Sequence, residues 1–457
     1  MKIVIVNVFE RRNRGDAALL SVTIQQLRQV FPGAELCIAG FERPEDRPEF
    51  DGVPNLGSIR RYVGEEHAGR AARMARKALT AAVAAVAALP GGPRLLPGLA
   101  RLLPRGIGRE LAAVAGADLV VGPAGGYVNA RADFPSDLNI ALLMLPLWLA
   151  QRRRVPVALG PQSYGPFPRR VQRAMVRRVV GAADRVMTRE SISAERLAEA
   201  GVPRERIVRS VDAAFAFRAE SSRRWREELG VPRDATLVLI TTKDSLPPDR
   251  QAVYEESIVA AVRHMLARPG WHVVLMPQVT CSFQADDDRI VNARVAAAVD
   301  SPRLHVLDDD GIDHHDISAM YPEADYIIGT RFHAVIFGFT AGVPCVAIEY
   351  DHKTSGIMRD LGLQRWVVHM ADVRPEPLVR LVDELVAESG AYRRHLAAVL
   401  PAHAARATEF AGTLRRLGLA AADGPGGGPL ASPGQAASER PERPARPERP
   451  ARAGAGS

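Results

Sequence analysis

The segment Gly329-Thr330-Arg331-Phe332-His333 places an arginine and a histidine two residues apart at the start of an apolar run. The pattern predicts a buried strand that ends at Gly329 and a buried helix that Thr330 caps, with Arg331 and His333 in its first turn. Free N–H groups and the helix dipole already make this end positive, so two more cationic side chains require a negative partner. That partner is either a bound anion or a buried carboxylate of the protein. Arg331 offers a planar fork that matches phosphate or carboxylate, and a bound phosphate would favour the protonated, acidic form of His333.

Other polar and glycine-rich segments also follow predicted strands. Asp16 opens the first helix and is either a helix cap alone or a site residue as well. A pair of glycines permits close backbone approach to a phosphate, a carboxylate or a sugar ring. Arg189 is either a cleft residue or a surface arginine beside Glu190. The further substrate-binding candidates at strand ends are Gly125, Gly126, Gln162 and Tyr164.

Cofactor and metal motifs are weak in this chain. No GxGxxG segment follows a predicted strand, so a dinucleotide cofactor is not expected. His314 and His315 are adjacent and cannot share one helix face, which favours a polar loop over a metal site. The three cysteines, Cys37, Cys281 and Cys345, form no CxxC pair and are expected to be free buried thiols. We therefore expect neither a metal nor a cofactor.

Strands and helices alternate in two successive series, which predicts an α/β protein with two doubly wound, Rossmann-like domains facing a cleft. The predicted domains are residues 1–217 and 234–420, with an Ala/Arg-rich insertion at 55–115. Residues 421–457 are rich in Pro, Gly and Arg and are predicted to be disordered. Ligands of such folds bind beyond the carboxyl ends of the strands, so the cleft is the expected site.

The 457 residues are 47% hydrophobic and 25% charged, as in an ordinary globular protein. Of the net charge of +8, the segment 60–110 contributes +7, with ten Lys/Arg against three Glu. The rest is nearly neutral, which argues against a nucleic-acid partner. No signal peptide and no bilayer-spanning segment is recognised, so a cytoplasmic protein is expected.

Several of these segments, in this order, resemble the polysaccharide pyruvyl transferase family. They are NRGDAALL, GPAGGYVN, GPQSYGPF, TRE and GTRFHAVIFGFTAGVPCVAIEYDHKTSG. The last is the most specific, with Arg-x-His, Gly-Val-Pro and a Tyr-Asp-x-Lys ending, and the resemblance covers approximately residues 1–400. The chain departs from the family pattern at Ala124, where a further glycine is common, and in its long insertion.

The resemblance implies a fold similar to two-domain glycosyltransferases and transfer of the pyruvyl group of phosphoenolpyruvate to two hydroxyls of a sugar. The product is a cyclic ketal, made during exopolysaccharide and cell-envelope biosynthesis. His333 is the expected general acid and Asp16 the expected base or orienting acceptor. Arg331, Arg189 and the amides from Thr330 onward are expected to hold the donor, with help from Lys353. The second domain would hold phosphoenolpyruvate and the first the acceptor, without a redox cofactor.

The insertion gains a possible role from the same resemblance, because acceptors of such enzymes are often lipid-linked sugars at the inner membrane face. The cluster Arg70–Lys77 followed by Ala78–Leu89 is then expected to lie on an anionic bilayer, the alternative being a solvated α-hairpin. The protein would be cytoplasmic and peripheral at the inner face of the plasma membrane. Two other functions stay open: a nucleotide-sugar glycosyltransferase that uses Glu349 for ribose, and an inactive binding protein.

Overall fold

The computed structural model describes residues 1–64, 69–281 and 286–419. The predicted disordered tail at 421–457 lies outside these residues. Alternation of short buried strands and amphipathic helices is observed over the described chain, as the sequence pattern predicts.

The strands form two main parallel sheets and two short antiparallel pairs. In chain order they are β1 (Lys2–Val8), β2 (Glu35–Gly40), β3 (Glu49–Phe50), β4 (Val53–Pro54), β5 (Leu119–Gly122), β6 (Gly125–Val128), β7 (Val157–Tyr164), β8 (Arg185–Thr188), β9 (Ile207–Arg209), β10 (Thr236–Thr241), β11 (Trp271–Leu275), β12 (Thr280–Cys281), β13 (Asp286–Asp287), β14 (Leu304–Val306), β15 (Tyr326–Gly329), β16 (Cys345–Glu349) and β17 (Val367–His369).

The helices cover the faces of these sheets. In chain order they are α1 (Arg14–Val30), α2 (Ile59–Gly64), α3 (Arg70–Ala88), α4 (Gly92–Leu102), α5 (Arg105–Ala115), α6 (Phe134–Arg152), α7 (Arg170–Val179), α8 (Ser191–Glu199), α9 (Trp225–Glu228), α10 (Pro248–Leu266), α11 (Asp288–Ala297), α12 (His314–Met320), α13 (Phe332–Thr340), α14 (His352–Asp360), α15 (Pro375–Ala387), α16 (Ser389–Ala407) and α17 (Glu409–Arg415).

The strand order of each sheet locates its crevice. The first sheet runs β2-β1-β5-β7-β8-β9, with β6 beside β7, and the second runs β14-β11-β10-β15-β16-β17. The second order is that of a doubly wound dinucleotide-type fold, which confirms the predicted architecture. The order reverses between β1 and β5 in one sheet and between β10 and β15 in the other. Loops after these four strands are therefore where a ligand is expected.

Helix α1 joins the two sheets. Ala17, Leu20 and Ile24 pack in the core around β1, whereas Leu19 and Val22 pack in the core of the second sheet. Near the end of the described chain, α17 packs back onto α1 and the first sheet. Both sheets belong to one compact unit, and the domain limits inferred from the sequence stay a prediction.

The described residues of the insertion form four helices, α2 to α5, instead of the α-hairpin considered above. Its inner faces contribute Val83, Leu96 and Ile107 to the core of the first sheet, each at most 4% exposed. Within the described residues, no helix combines the length and hydrophobicity needed to cross a membrane.

Candidate functional site

A cavity of about 360 Å³ opens where the strand-end loops of the two sheets meet. Residues from both halves of the chain line it: Phe9, Asn13, Asp16, Arg60, Gly126, Tyr127, Asn129, Asn139, Arg189, Lys243, Gln278, Val279, Asp286, Arg331, Phe332, His333, Tyr350 and Lys353. Five of these side chains are basic and two are carboxylates, so the lining favours an anionic ligand.

The first turn of α13 contributes to the cavity, but its cap differs from the prediction. Arg331, not Thr330, is the residue that precedes the helix, and its side chain makes no capping bond. The Thr330 hydroxyl is fully buried and lies 2.8 Å from the Tyr254 hydroxyl. Thr330 therefore shapes the loop from behind and does not line the cavity.

Arg331 has the buried carboxylate partners that the sequence left as an alternative. Its Nε donates to Asp288 at 2.8 Å, and its Nη1 donates to Asp286 at 3.2 Å. Burial alone would lower the pKa of Arg331, but the two carboxylates hold it well above its usual range. Arg331 is thus fixed as a cation, and it still reaches the cavity.

His333 lies against the backbone of α1. A Cβ placed on Gly15 would stand 1.9 Å from His333 Nδ1, so only glycine leaves room for the ring. Its Nε2 has no hydrogen-bond partner within the described chain. Burial lowers the pKa of His333 to about 3; Asp212 opposes this, whereas Arg189 and Lys353 reinforce it. The imidazole is therefore neutral near pH 7 before an anion binds.

Arg189 is held as tightly as Arg331. It is 3% exposed, donates to Asp212 at 2.7 Å and to the Ser163 hydroxyl at 2.7 Å, and lies 4.8 Å from the centre of the Phe332 ring. It is a buried arginine of the cavity wall, which excludes the surface position considered above. A Cβ on Gly126 would lie 2.8 Å from Arg189 Nη2, so this glycine admits the guanidinium.

Lys353 stands beside Arg189 at the same glycine. A Cβ on Gly126 would lie 3.4 Å from Lys353 Nζ, and Asp351 lies 3.2 Å from that nitrogen. Burial lowers the pKa of Lys353, but Tyr350 and Asp351 outweigh it and raise the pKa above its ordinary value. The lysine consequently stays charged in the cavity.

Asp16 lines the cavity, but it is not the helix cap that the sequence suggested. Asn13 is the cap of α1, and its amide donates to Asp16 Oδ2 at 2.8 Å. Burial raises the pKa of Asp16 to about 6, although Lys353 and Arg189 lower it. A carboxylate with this pKa is ionised at pH 7 and is basic enough to accept a proton.

The remaining predicted site residues stand behind the cavity. Gln162 is buried and donates to Pro123 O at 2.7 Å and to the Tyr127 hydroxyl at 2.8 Å, which fixes the Tyr127 ring. Tyr164 is fully buried, and neither it nor Gly125 lines the cavity. Their contribution is to support Tyr127 and the loop after β5.

Sequence reasoning missed the part of the cavity that lies towards the insertion. Arg60 was counted with the basic charge of the insertion, yet it lines the cavity and donates to Asn139 at 3.1 Å. Its guanidinium lies 4.5 Å from the Phe9 ring centre, and Phe9 stacks on Tyr127 at 5.2 Å. Burial lowers the pKa of Arg60 to about 10, so the side chain stays cationic at neutral pH. The usable signal was the position of Phe9 directly after β1.

Asp286 and Lys243 form a charged pair in the cavity wall. Asp286 pairs with both Arg331 and Lys243, the latter at 2.8 Å. Glu349, the ribose-binding alternative, receives a hydrogen bond from Ser355 and does not line the cavity.

One group outside the cavity has the composition of a metal site. Asp51, His314 and His315 place potential ligand atoms within 4.8 Å of one another, although the adjacent histidines were expected to diverge. The Ser21 hydroxyl lies 2.5 Å from Asp51 and 2.8 Å from His314 Nε2, and the Glu220 amide donates to His315 Nδ1. The rings of His314 and His315 therefore both take part in hydrogen bonds within the protein.

The polysaccharide pyruvyl transferase family model matches residues 13–352, which includes every part of the cavity except Phe9 and Lys353. The chain belongs to this family. AmsJ, an amylovoran biosynthesis protein of Erwinia amylovora, is 26% identical over 221 residues, which is 46% of this chain and 52% of that protein. The match therefore spans about half of the relative's length.

Solved structures share the fold at low sequence identity. A UDP-N-acetylglucosamine 2-epimerase has a TM-score of 0.56 and 14% identity, with 92% of this chain and 97% of that chain covered. HepE of Anabaena, solved with UDP-glucose, has a TM-score of 0.52 and 12% identity, with 91% and 99% covered. The predicted resemblance to the family and the α/β fold class are both confirmed.

Proposed function

We propose that this protein transfers the pyruvyl group of phosphoenolpyruvate to two hydroxyls of a sugar, in a cell-surface polysaccharide or its lipid-linked precursor. The products are a cyclic pyruvate ketal and inorganic phosphate. The observation that carries the proposal is one cavity in which fixed cations surround a carboxylate of raised pKa and an imidazole whose Nε2 has no hydrogen-bond partner among the described residues. Family membership supports the same reaction class.

The donor carries a phosphate and a carboxylate, and the cavity contains two pairs of cationic side chains. Arg331 and Lys243 share Asp286 on the side of the second sheet. Arg189 and Lys353 form a second pair and meet over Gly126. The two anionic groups of phosphoenolpyruvate match these two pairs of cations. A buried cation attracts an anion more strongly than a cation exposed to water does.

Ketal formation needs one proton gained by the donor and two lost by the sugar. Protonation of the methylene carbon converts the double bond into a methyl group and leaves the central carbon electrophilic. One sugar hydroxyl adds to that carbon and loses its proton, and the second hydroxyl then displaces phosphate and loses its own. The net reaction releases hydrogen phosphate, which carries the remaining proton.

His333 is the proposed general acid, and its protonation state depends on whether the donor is bound. Burial lowers its pKa to about 3, so it is neutral at pH 7 before the donor binds. A bound phosphate supplies the opposite charge that favours imidazolium, so donor binding raises the pKa of His333 and its ring becomes protonated. Asp16, with a pKa of about 6, is the proposed acceptor of a hydroxyl proton.

The acceptor sugar is proposed to bind on the side of the first sheet. Phe9 and Tyr127 present a stacked aromatic pair, and Asn129 and Asn139 add amide groups at the same wall. Sugar rings place C–H groups on aromatic faces and hydroxyls on amides, so this wall suits a saccharide.

The insertion is proposed to contact an anionic membrane. Leu95 and Leu102 of α4 are 59% and 84% exposed, and Arg94 and Arg101 are exposed on the same helix. Exposed leucines flanked by arginines are typical of helices that lie on anionic lipid. Co-sedimentation with vesicles containing anionic lipid tests this contact. The variant Leu95→Ser/Leu102→Ser should lose most binding, and equal binding of both proteins would overturn the contact.

Phosphate release from phosphoenolpyruvate, measured with a panel of aryl and lipid-linked sugars, tests the proposed reaction. We expect acceptor-dependent release by the wild type and a loss of at least a hundredfold in His333→Ala, as is usual for a missing general acid. His369→Ala is the matched control, because His369 is exposed and does not line the cavity. Unchanged turnover in His333→Ala would remove His333 from the mechanism.

A binding measurement separates donor recognition from turnover. Phosphoenolpyruvate should raise the melting temperature, while UDP-sugars should leave it unchanged. Stabilisation by UDP-sugars alone would replace the pyruvyl donor with a nucleotide-sugar donor.

A further inference from the structure

Arg60 differs from the other cationic side chains that line the cavity. Each of the other four lies within 3.2 Å of an aspartate oxygen: Arg189 with Asp212, Arg331 with Asp288, Lys243 with Asp286 and Lys353 with Asp351. Arg60 forms no ion pair with a carboxylate in the described parts of the chain. Among these five cations, its charge is therefore the one that the described residues leave unbalanced.

The contacts of Arg60 hold its side chain without balancing its charge. Nε donates to Asn139 Oδ1 at 3.1 Å, and the centres of the Phe9 and Phe41 rings lie 4.5 Å and 5.2 Å from the guanidinium carbon. Aromatic rings attract a cation, but they carry no net charge. Nη1 and Nη2 have no hydrogen-bond partner among the residues that the structure describes, so both can donate to a ligand.

The pKa of Arg60 agrees with the missing carboxylate. Burial lowers it to about 10, and Tyr127 opposes this change. Burial acts in the same direction on Arg189 and Arg331, but their aspartates outweigh it and raise the pKa of both arginines. A bound anion would give Arg60 the kind of partner that the protein itself gives to the other two.

The position of Arg60 is fixed at both its backbone and its side chain. Helix α2 begins at Ile59, and the Ile59 amide donates to the Glu110 carboxylate at 2.6 Å. Glu110 belongs to α5 and is only 2% exposed, so it anchors the start of α2 directly before Arg60. Asn139 of α6 then orients the guanidinium. A cation held in this way is prepared to recognise a ligand.

The surroundings of Arg60 define the chemistry of that ligand. Phe9 and Asn139, which contact Arg60, belong to the wall of aromatic rings and amides that suits a saccharide. A neutral saccharide would leave the guanidinium without a partner of opposite charge. The two Nη groups can donate parallel hydrogen bonds to the two oxygens of a carboxylate. One cation also balances one negative charge, which is the charge that a uronic acid carries on its ring.

We propose that the acceptor is an acidic saccharide and that Arg60 binds the carboxylate of a uronic acid residue in it. Asn139 holds Nε, while Nη1 and Nη2 donate to the carboxylate. The inference rests on the proposed function, because that function places the acceptor at this wall. It adds the chemical class of the acceptor and the residue that selects it.

Ligand-observed NMR titration with pairs of methyl glycosides tests the assignment without turnover. Each pair has one ring configuration (gluco, galacto or manno) and differs only in the carboxylate: a methyl uronide and the neutral methyl glycoside. In at least one pair, the wild type should bind the uronide roughly tenfold more tightly, as expected of a bidentate arginine–carboxylate pair. Equal binding within all three pairs would overturn the assignment.

Two substitutions at Arg60 separate charge from geometry. Arg60→Gln removes the charge and should remove the preference for the uronide, whereas Arg60→Lys keeps the charge but loses the fork and should retain only part of it. Arg101→Gln is the matched control, because Arg101 is an exposed arginine of the insertion that does not line the cavity. An unchanged preference in Arg60→Gln would show that another group recognises the carboxylate.

Two further measurements exclude other roles of Arg60. Phosphoenolpyruvate should raise the melting temperature of Arg60→Gln as much as that of the wild type, and loss of this shift would assign Arg60 to the donor. Arg60-dependent binding of glucose 6-phosphate without binding of any uronide would replace the carboxylate with a phosphate. Absence of phosphate release with every acceptor, while the uronide preference persists, would instead overturn the proposed reaction and leave the role of Arg60 in place.

Discussion

Asp16→Asn should abolish activity and at the same time stabilise the protein. The pKa of Asp16 is raised from 3.8 to about 6, mainly by burial, so the ionised carboxylate costs free energy in the folded state. Because the folded pKa exceeds the unfolded one, the protonated group favours folding below pH 3.8, and this contribution is lost as pH rises through 6. A shift of about 2 units corresponds to roughly 3 kcal/mol.

Asparagine keeps the shape of the side chain and removes the ionisation. Integrated over pH, the gain in the free energy of unfolding should be roughly 2 kcal/mol at pH 5 and roughly 3 kcal/mol above pH 7. Urea denaturation of wild type and variant at pH 5, 6, 7 and 8 measures this increase. Asp372→Asn is the control, because the Asp372 side chain is 81% exposed.

The two readouts refute different steps of the reasoning. Phosphate release by Asp16→Asn should fall by roughly two to four orders of magnitude if Asp16 accepts a proton in the reaction. Normal activity would remove that role, whatever the stability shows. A gain in stability that does not depend on pH, or a loss of stability, would contradict the raised pKa and the burial argument behind it.

Two further substitutions test how the cations and the histidine are held. Gly15→Ala places a methyl group 1.9 Å from His333 Nδ1, so it should reduce phosphate release almost as far as His333→Ala, while Gly98→Ala, which meets nothing within 4 Å, should not. Full activity in Gly15→Ala would show that the ring has another position. Asp288→Asn removes a buried partner of Arg331 and should lower the free energy of unfolding by roughly 3–5 kcal/mol in urea denaturation, with a raised KM for phosphoenolpyruvate. A loss below 1 kcal/mol would mean that Asp286 alone is sufficient.

The fold was predictable because strands that are buried on both faces of a sheet are recognisable in the sequence as apolar runs. Strands such as β10 (Thr236–Thr241) and β16 (Cys345–Glu349) are continuous apolar runs, and the polar or glycine residues on either side define both ends. The helices of the insertion were harder to delimit, because Pro and Gly residues interrupt an Ala-rich helical pattern. Their number and packing follow from tertiary contacts with α6.

Cavity residues that directly follow a strand could be predicted from the sequence, whereas those that reach the cavity from elsewhere in the fold could not. Position after a strand correctly brought Asp16, Gly126, Arg189, Arg331, His333 and Lys353 to one cavity. The same rule also selected Gln162 and Tyr164, which do not line the cavity. Alternation along a strand decides which side chains face the cavity, and a β-bulge in β7 alters that alternation. Arg60 lies in a helix far from any predicted strand end, so no local pattern marked it.

Carboxylates around the arginines explain how the cavity tolerates so much positive charge. Arg331 is paired with Asp286 and Asp288, and Arg189 with Asp212, so each guanidinium has satisfied donors before a ligand arrives. An anion then meets cations whose positions are already fixed, so its binding costs little reorganisation. His333 is the exception, since its Nε2 has no partner in the described chain and its pKa is depressed by burial. The group that must change its charge during the reaction is therefore left unpaired, whereas the groups that must keep their charge are fixed by partners.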